Sequence, residues 1–126
     1  MQTVALSGAI IVTTPQEVAI IDACKAAPMF DKVNVPVLGL VENMSYFVSA
    51  SDGKRYDTFG SGSGEREAKR LSVPLLRQNP IDIATREAND RGMPIVGEDR
   101  QSPVTAEFKR IAVNLRLSPY HKIIFR

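Results

Sequence analysis

Pro36-Val37-Leu38-Gly39-Leu40-Val41-Glu42-Asn43-Met44-Ser45 begins as an unbroken apolar run and ends abruptly in polar residues. A run that is apolar on both faces suits a strand buried in a parallel sheet with helices on each side. Glu42 and Asn43 then fall at the carboxyl end of that strand, the edge where open α/β sheets bind their ligands.

Working outward, Gly8-Ala9-Ile10-Ile11-Val12-Thr13 is rich in β-branched residues and predicts a second buried strand. A helix should follow it. Thr14 can cap, Pro15 suits a first helical position, and Glu17 completes a capping box. Val18, Ile20, Ile21, Ala23 and Cys24 give that helix a broad apolar face to about Ala27, and Pro28 should end it. Cys24 lies on this face and reads as a small core residue.

After Ser45, the segments Tyr46-Phe47-Val48 and Lys54-Arg55-Tyr56 flank Asp52-Gly53, a hairpin turn signal. The pattern suggests a small excursion from the main sheet. Gly60-Ser61-Gly62-Ser63-Gly64 leads into a helix expected from about Glu65 to Leu71, and Val73-Pro74-Leu75-Leu76 predicts a third strand ending in Gln78-Asn79-Pro80. Asp82 can cap a helix to about Asn89, broken by Gly92-Met93-Pro94. Ser102-Pro103 opens a last helix whose Val104, Phe108, Ile111, Ala112 and Leu115 recur at helical spacing. The tail from Ser118 to Arg126 fits an added strand or a frayed end. The element order is that of an α/β protein with a mostly parallel sheet and crossover helices. Three strands make a thin sheet, as expected of half of something larger.

With 126 residues and 44% hydrophobic composition, the chain has the size and character of one globular domain. A formal net charge of +2, spread among interleaved acids and bases, gives no footprint for nucleic acid. No apolar run approaches the roughly 20 residues of a membrane span. One cysteine excludes an internal disulfide and cannot alone make a zinc or iron-sulfur site. Met1-Gln2-Thr3-Val4-Ala5 shows no signal-peptide character.

The glycine run before a helix fits a phosphate cradle in principle. Yet no Gly-x-x-x-x-Gly-Lys-Ser/Thr occurs, and no buried strand precedes the run, so a flexible lead-in to the helix is the better reading. His121, the one histidine, has no evident nucleophilic partner. Glu65, Glu67, Asp90, Glu98 and Asp99 sit among arginines and lysines and read as surface charge. What remains is two polar strand ends, Glu42-Asn43 and Asn79-Pro80-Ile81-Asp82, expected at one edge of the sheet. An Asn side chain offers a donor and an acceptor together, which suits a purine edge but equally suits capping the next turn.

Taken in order, these residues resemble the Mrp family of P-loop ATPases, relatives of the MinD type. The resemblance is carried by Gly8 to Gln16, Met29-Phe30, Val33 and the stretch from Pro36 to Ser45. Phe59-Gly60, Gly62, Val73 to Leu76, Arg86-Glu87-Ala88, Asp90, Gly92, Pro94-Ile95-Val96 and Ser102-Pro103 continue it. It implies a partial P-loop NTPase of three-layer, MinD-like architecture, with residues 1–117 the carboxyl-terminal half of an ATPase domain and 118–126 a tail. It implies ATP as cofactor, with Asn43 at the adenine base, Pro80, Ile81 and Asp82 beside the ring, and Thr13 and Thr14 near a nucleotide-sensing switch. A homodimer carrying a four-iron four-sulfur cluster to client proteins is the family's expected form, with no nucleic acid or membrane as partner. The compartment is the cytoplasm, or a plastid or mitochondrion if a transit peptide lies upstream.

Two departures qualify those expectations. The family's Walker A loop, switch aspartates and Walker B strand lie upstream of the Gly8–Thr13 strand, so ATP hydrolysis by the chain alone is not expected. The family's Cys-Pro-x-Cys is replaced by Phe47-Val48-Ser49-Ala50-Ser51-Asp52, as in a plastid-type branch that lacks the cysteine pair. Two other functions stay in view: a non-catalytic half-domain that pairs with a P-loop partner, and a MinD-like positioning ATPase.

Overall fold

In the computed structural model, residues 6–116 are described. Strands β1 (Ala9–Thr13) and β2 (Val37–Glu42) pair in parallel, with Ile11 opposite Leu40 and Thr13 opposite Glu42. On its other side β2 pairs in parallel with β5 (Leu75–Gln78), giving the order β1-β2-β5 with the decisive stretch at the centre. Leu38 to Glu42 are all buried, as a strand covered on both faces requires. The third strand lies two residues later than the apolar run predicted, because Arg77 and Gln78 find side-chain partners and extend the pairing past Leu76.

One face of the sheet carries α1 (Glu17–Cys24), α2 (Ala26–Lys32) and α3 (Ser63–Arg70). Ile11 and Leu40 meet Ile20, Cys24 and Ala27 there, and each large side chain so buried contributes about 1.5–3 kcal/mol. The opposite face carries α6 (Pro103–Arg116), where Ile111 packs on Val41 and Leu76. A satellite cluster of Ala88, Ile95 and Val104 joins α4 (Ile83–Asp90), α5 (Ile95–Glu98) and α6. The excursion is a hairpin of β3 (Phe47–Val48) and β4 (Arg55–Tyr56), antiparallel as the Asp52-Gly53 signal suggested.

Several local expectations are corrected. Gln16, not Thr14, precedes α1; the Thr14 hydroxyl donates to the Gln16 side chain instead of to a helix end, so no capping box forms. The helix turns at Lys25, and Pro28 lies inside the first turn of α2, where its missing N–H leaves no bond unmade. Val18 and Ile21 are exposed, so the buried face of α1 narrows to Ile20 and Cys24. α3 starts at Ser63, ahead of Glu65, and α5 was not anticipated. On α6 the buried positions are Val104, Thr105, Glu107 and Ile111, while Phe108 and Ala112 are exposed. His121 and the 118–126 tail lie outside the described residues.

Candidate functional site

The carboxyl ends of β2 and β5 are stitched together beyond the last strand pair. Asn79 N–H donates to the Glu42 carbonyl (2.8 Å), and Ser45 N–H donates to the Asn79 carbonyl (2.8 Å). Ile81 N–H donates to the Tyr46 carbonyl at 2.7 Å, and Asn43 N–H reaches back to the Thr13 carbonyl at 2.6 Å. Two loops that are far apart in sequence are thereby held in one register.

Glu42 anchors this arrangement from within. It is 1% exposed, and its carboxyl group accepts from Ser45 Oγ (2.6 Å), Gln78 Nε2 (3.2 Å) and the backbone N–H of Gly64 (3.0 Å). That last bond explains the glycine run. Gly62 enters α3 at a φ of 85°, and a Cβ on Gly64 would lie 2.2 Å from Glu42 Oε2. The run therefore lets the helix end close on a buried acid. The amino end of α3, with its positive partial charge, is occupied by the protein's own carboxyl group, and this accounts for the glycines without a phosphate. Ser63 adds a bond to the Pro15 carbonyl at 2.6 Å.

On the other face of these strand ends lies a cavity of about 540 Å³, walled by Asn43, Met44, Asn79, Pro80, Ile81, Asp82, α4 and α6. All four residues singled out from the sequence, Asn43, Pro80, Ile81 and Asp82, line it. Thr13 and Thr14 stand at the neighbouring tip of β1 and form no part of its wall. Asp82 caps α4, accepting from Thr85 N (2.9 Å) and Thr85 Oγ1 (2.5 Å), as its sequence position predicted. Arg86 and Asp90, also on the wall, pair with each other at 2.8 Å. The charged groups thus neutralise one another or hold the backbone. What the cavity offers a ligand is the apolar surface of Pro80, Ile81, Ile83 and Phe108, with the exposed Asn43 at its strand-end wall. Apolar walls with a few placed polar groups are the usual lining of a small-molecule site.

Phe108 was read as a core residue and Asn79 only as part of a polar strand end. Helical spacing alone groups Phe108 with Val104 and Ile111, and only the joining of α4 to α6 through α5 places it at a cavity wall.

For a metal cargo the described residues fit poorly. They contain no group of three or more His, Cys, Asp or Glu able to hold an ion. Cys24 is buried in the core, and burial, reinforced by Glu67, pushes its thiol up, away from the thiolate form a ligand needs. The hairpin is polar and self-contained. The Tyr56 hydroxyl donates to Asp52 Oδ2 at 2.6 Å, and the Arg55 guanidinium stacks 4.1 Å from the centre of the Tyr46 ring. No helix among the described residues is long and apolar enough to cross a membrane.

A parallel sheet with helices on both faces and a cavity at its carboxyl edge makes this an open α/β domain, and its fold is that of MinD-like P-loop ATPases. The cell-division ATPase MinD of Pyrococcus furiosus superposes with a TM-score of 0.68 over 87% of this chain at 24% identity. Residues 1–116 match the family described as ParA: NUBPL iron-transfer P-loop NTPase, and the chain belongs to that family. It is similar to the iron-sulfur cluster carrier proteins of Synechocystis sp. (47% identity over 88% of this chain) and Methanocaldococcus jannaschii (46% over 84%). The chain spans about a third of the length of these relatives, 33% and 36%. A nucleotide-binding protein of Archaeoglobus fulgidus, solved in complex with ADP, superposes with a TM-score of 0.60 at 36% identity over 68% of this chain and 35% of its own.

Proposed function

We propose that residues 1–117 supply the base-holding half of an ATP-dependent iron-sulfur cluster carrier of the Mrp type. The observation that carries this reading is the convergence of Asn43, Pro80, Ile81 and Asp82 on one cavity at the carboxyl edge of the sheet. In this reading Pro80 and Ile81 flank the adenine ring, the Asn43 carboxamide pairs with its edge, and Asp82 fixes the loop by capping α4. Bound ATP supplies a phosphoanhydride, whose cleavage depends on phosphate-gripping and metal-holding groups that are assigned to no residue here. The chain by itself therefore binds the base weakly and does not turn ATP over. The cluster is the cargo of a homodimer that hands it to client proteins in the cytoplasm or an organelle, and its ligands are assigned to none of the hairpin residues.

A second reading, a non-catalytic half-domain that pairs with a P-loop partner, draws support from the β1 edge of the sheet and from α1 beside it. Val12 on β1 is 59% exposed, and Val18 and Ile21 on α1 are 82% and 60% exposed. Apolar surface beside a strand edge that has no second partner among the described residues favours association.

The test is a titration of the isotope-labelled chain with ATP, followed by amide NMR. Shifts confined to Asn43, Asn79, Ile81, Asp82 and Phe108, with Asn43→Ala weakening binding about fivefold, are the expected result. Saturation at millimolar ATP without movement of those amides overturns the adenine assignment.

A further inference from the structure

Away from the cavity, a second hollow of about 230 Å³ joins the sheet to the hairpin. It is lined by Tyr46 and Arg55 and by all four residues of β5, Leu75 to Gln78. Side chains of a strand point to its two faces, so a hollow touched by four consecutive residues runs along the strand's edge and not over one face. β2 occupies one edge of β5, and no strand among the described residues occupies the other. The hollow is that open edge.

The backbone it exposes follows from the register. Leu40 N–H donates to the Pro74 carbonyl (2.9 Å), and Asn79 N–H donates to the Glu42 carbonyl (2.8 Å). In a parallel ladder the residues opposite Leu40 and Glu42, which are Leu75 and Gln78, then turn their own N–H and C=O away from β2. Those four groups have no other partner among the described residues. The Leu76 carbonyl is already taken, accepting from Asn114 Nδ2 of α6 at 2.7 Å.

The side chains around this edge are cationic. Arg77 and Arg110 share the one carboxyl group of Glu107, which accepts from each at 2.6 Å, so a positive charge is left over. Arg55 stacks 4.1 Å from the centre of the Tyr46 ring and directs its Nε to Asp57 at 3.0 Å, leaving its Nη groups outward. The side chains of Arg55 and Arg77 are 48% and 39% exposed, within reach of a partner. The Tyr46 carbonyl accepts Ile81 N–H at 2.7 Å, which fixes this arm against the exit of β5.

We propose that the open edge of β5 is a docking site for an acidic, extended segment of a partner protein, which lies along the strand and brings carboxylates to Arg55 and Arg77. Leu75 and Gln78 present carbonyls as well as N–H groups, and a peptide backbone complements both, whereas a phosphate supplies acceptors alone. The surplus positive charge selects acidic side chains. It gives no advantage to the chain's own residues 117–126, which include Lys122 and Arg126 and no acid. A second copy would bring arginines against arginines, and charged edges of this kind resist self-pairing. The register shift between Leu40 and Val41 sets the outward residues three apart instead of the regular two, so the docked segment is short or bulged. The hollow shares no lining residue with the cavity at the carboxyl edge, and what fills that cavity does not bear on it.

The experiment titrates the isotope-labelled chain with three end-blocked peptides, Val-Glu-Val-Glu-Val, Val-Gln-Val-Gln-Val and Val-Lys-Val-Lys-Val, and with inorganic phosphate. Amide shifts and hydrogen exchange are followed by NMR. The acidic peptide is expected to shift the Arg55, Leu75, Arg77 and Gln78 amides, to slow exchange at Leu75 and Gln78, and to leave Asp82 unmoved. It should bind about tenfold better than the glutamine peptide, the gain of a charge-assisted hydrogen bond over a neutral one, and the lysine peptide should bind weakest. Arg55→Gln, an exposed hairpin substitution, should cut that preference to about threefold.

Equal binding of the acidic and glutamine peptides overturns the proposal, because the arginines then select nothing. Phosphate that reproduces the same shifts at the same affinity, without slowed exchange, also overturns it and leaves an anion site that reads no backbone. If no peptide moves the β5 amides, the arginines only guard a closed edge and the docking site falls. The peptide series on the unmodified chain decides the matter even where Arg55→Gln does not fold.

Discussion

The two ends of β2's neighbourhood are finished to different degrees. At the carboxyl end, β2, β5, the hairpin and α3 meet through Glu42, and the loops beyond them are tied by four backbone hydrogen bonds, Asn79 to Glu42, Ser45 to Asn79, Ile81 to Tyr46 and Asn43 to Thr13. On the β1 side, alternation sends Ile11 and Thr13 into the core while Ile10 and Val12 are exposed on the face away from α1, and Val18 and Ile21 are separately exposed on α1. The same chain thus holds a site whose geometry is internally determined and a face whose side chains have found nothing to pack on.

Glu42 gives the largest way to break that contrast. Replacing it with Leu leaves the Gly64 N–H, the Ser45 hydroxyl and the Gln78 amide without their acceptor in a buried setting. At about 1–3 kcal/mol for each of the two fully buried groups, Gly64 and Ser45, with the half-buried Gln78 amide able to turn to water, a loss of about 2–6 kcal/mol is expected, read from the denaturant midpoint. Gly64→Ala should reproduce part of this loss, since its Cβ meets the same carboxyl group. A Glu42→Leu protein as stable as its parent removes the claim that the carboxyl end is organised from inside.

Glu107 extends the finished side to α6. It is buried and accepts from Arg77 (2.6 Å) and Arg110 (2.6 Å). Burial pushes its carboxyl up, but hydrogen bonds and charge from Arg77 and Arg110 more than offset this and hold it below the usual glutamate range. A depressed folded value means the stabilisation is present above about pH 4.3 and lost as pH falls through the folded value. Glu107→Gln should cost about 1–2 kcal/mol at pH 7 and flatten the acid limb of a stability–pH curve. An unaltered acid limb would show that the pair with Arg77 adds nothing.

Much of this was readable from residue order, and the misses share a cause. β2 was legible because a strand covered on both faces needs an unbroken apolar run, and Asp82 because a cap acts on backbone only three residues away. The hairpin was legible for the same local reason. Glu42 looked like one more polar strand end, since nothing in the stretch itself reveals that Gly64 will bring a helix terminus onto it. Val18, Ile21 and Phe108 have the same chemistry as Ile20 and Ile111, and periodicity cannot say which apolar side chains a half-covered fold leaves outside. Asn43, Pro80 and Ile81 were legible as two polar strand ends at one sheet edge, the family resemblance added the adenine, and the geometry gathers them around one cavity.

Asp82→Ala tests whether the cavity's wall and the stability of the finished side are separable. Loss of the cap on α4 should cost about 1 kcal/mol by thermal or denaturant unfolding. It should also raise hydrogen exchange at the start of α4 while leaving the β1–β2 amides protected. Uniform loosening of the whole sheet would mean that the carboxyl edge is not an independent unit.

The smallest stability effect belongs to the unfinished face, and its value lies in being small. Val18 and Ile21 are already exposed, so Val18→Lys with Ile21→Lys should change stability by no more than about 0.5 kcal/mol. Their removal should instead change association, because an apolar patch beside the open edge of β1 is what a second surface would cover. Light scattering across a concentration series is expected to show the parent chain gaining mass and the double variant remaining monomeric. If the substitutions unfold the chain, α1 is buried in solution in a way its contacts with β1 do not provide. If the parent is monomeric throughout, the face is open but not adhesive, and the contrast between the two sides of the sheet concerns packing alone.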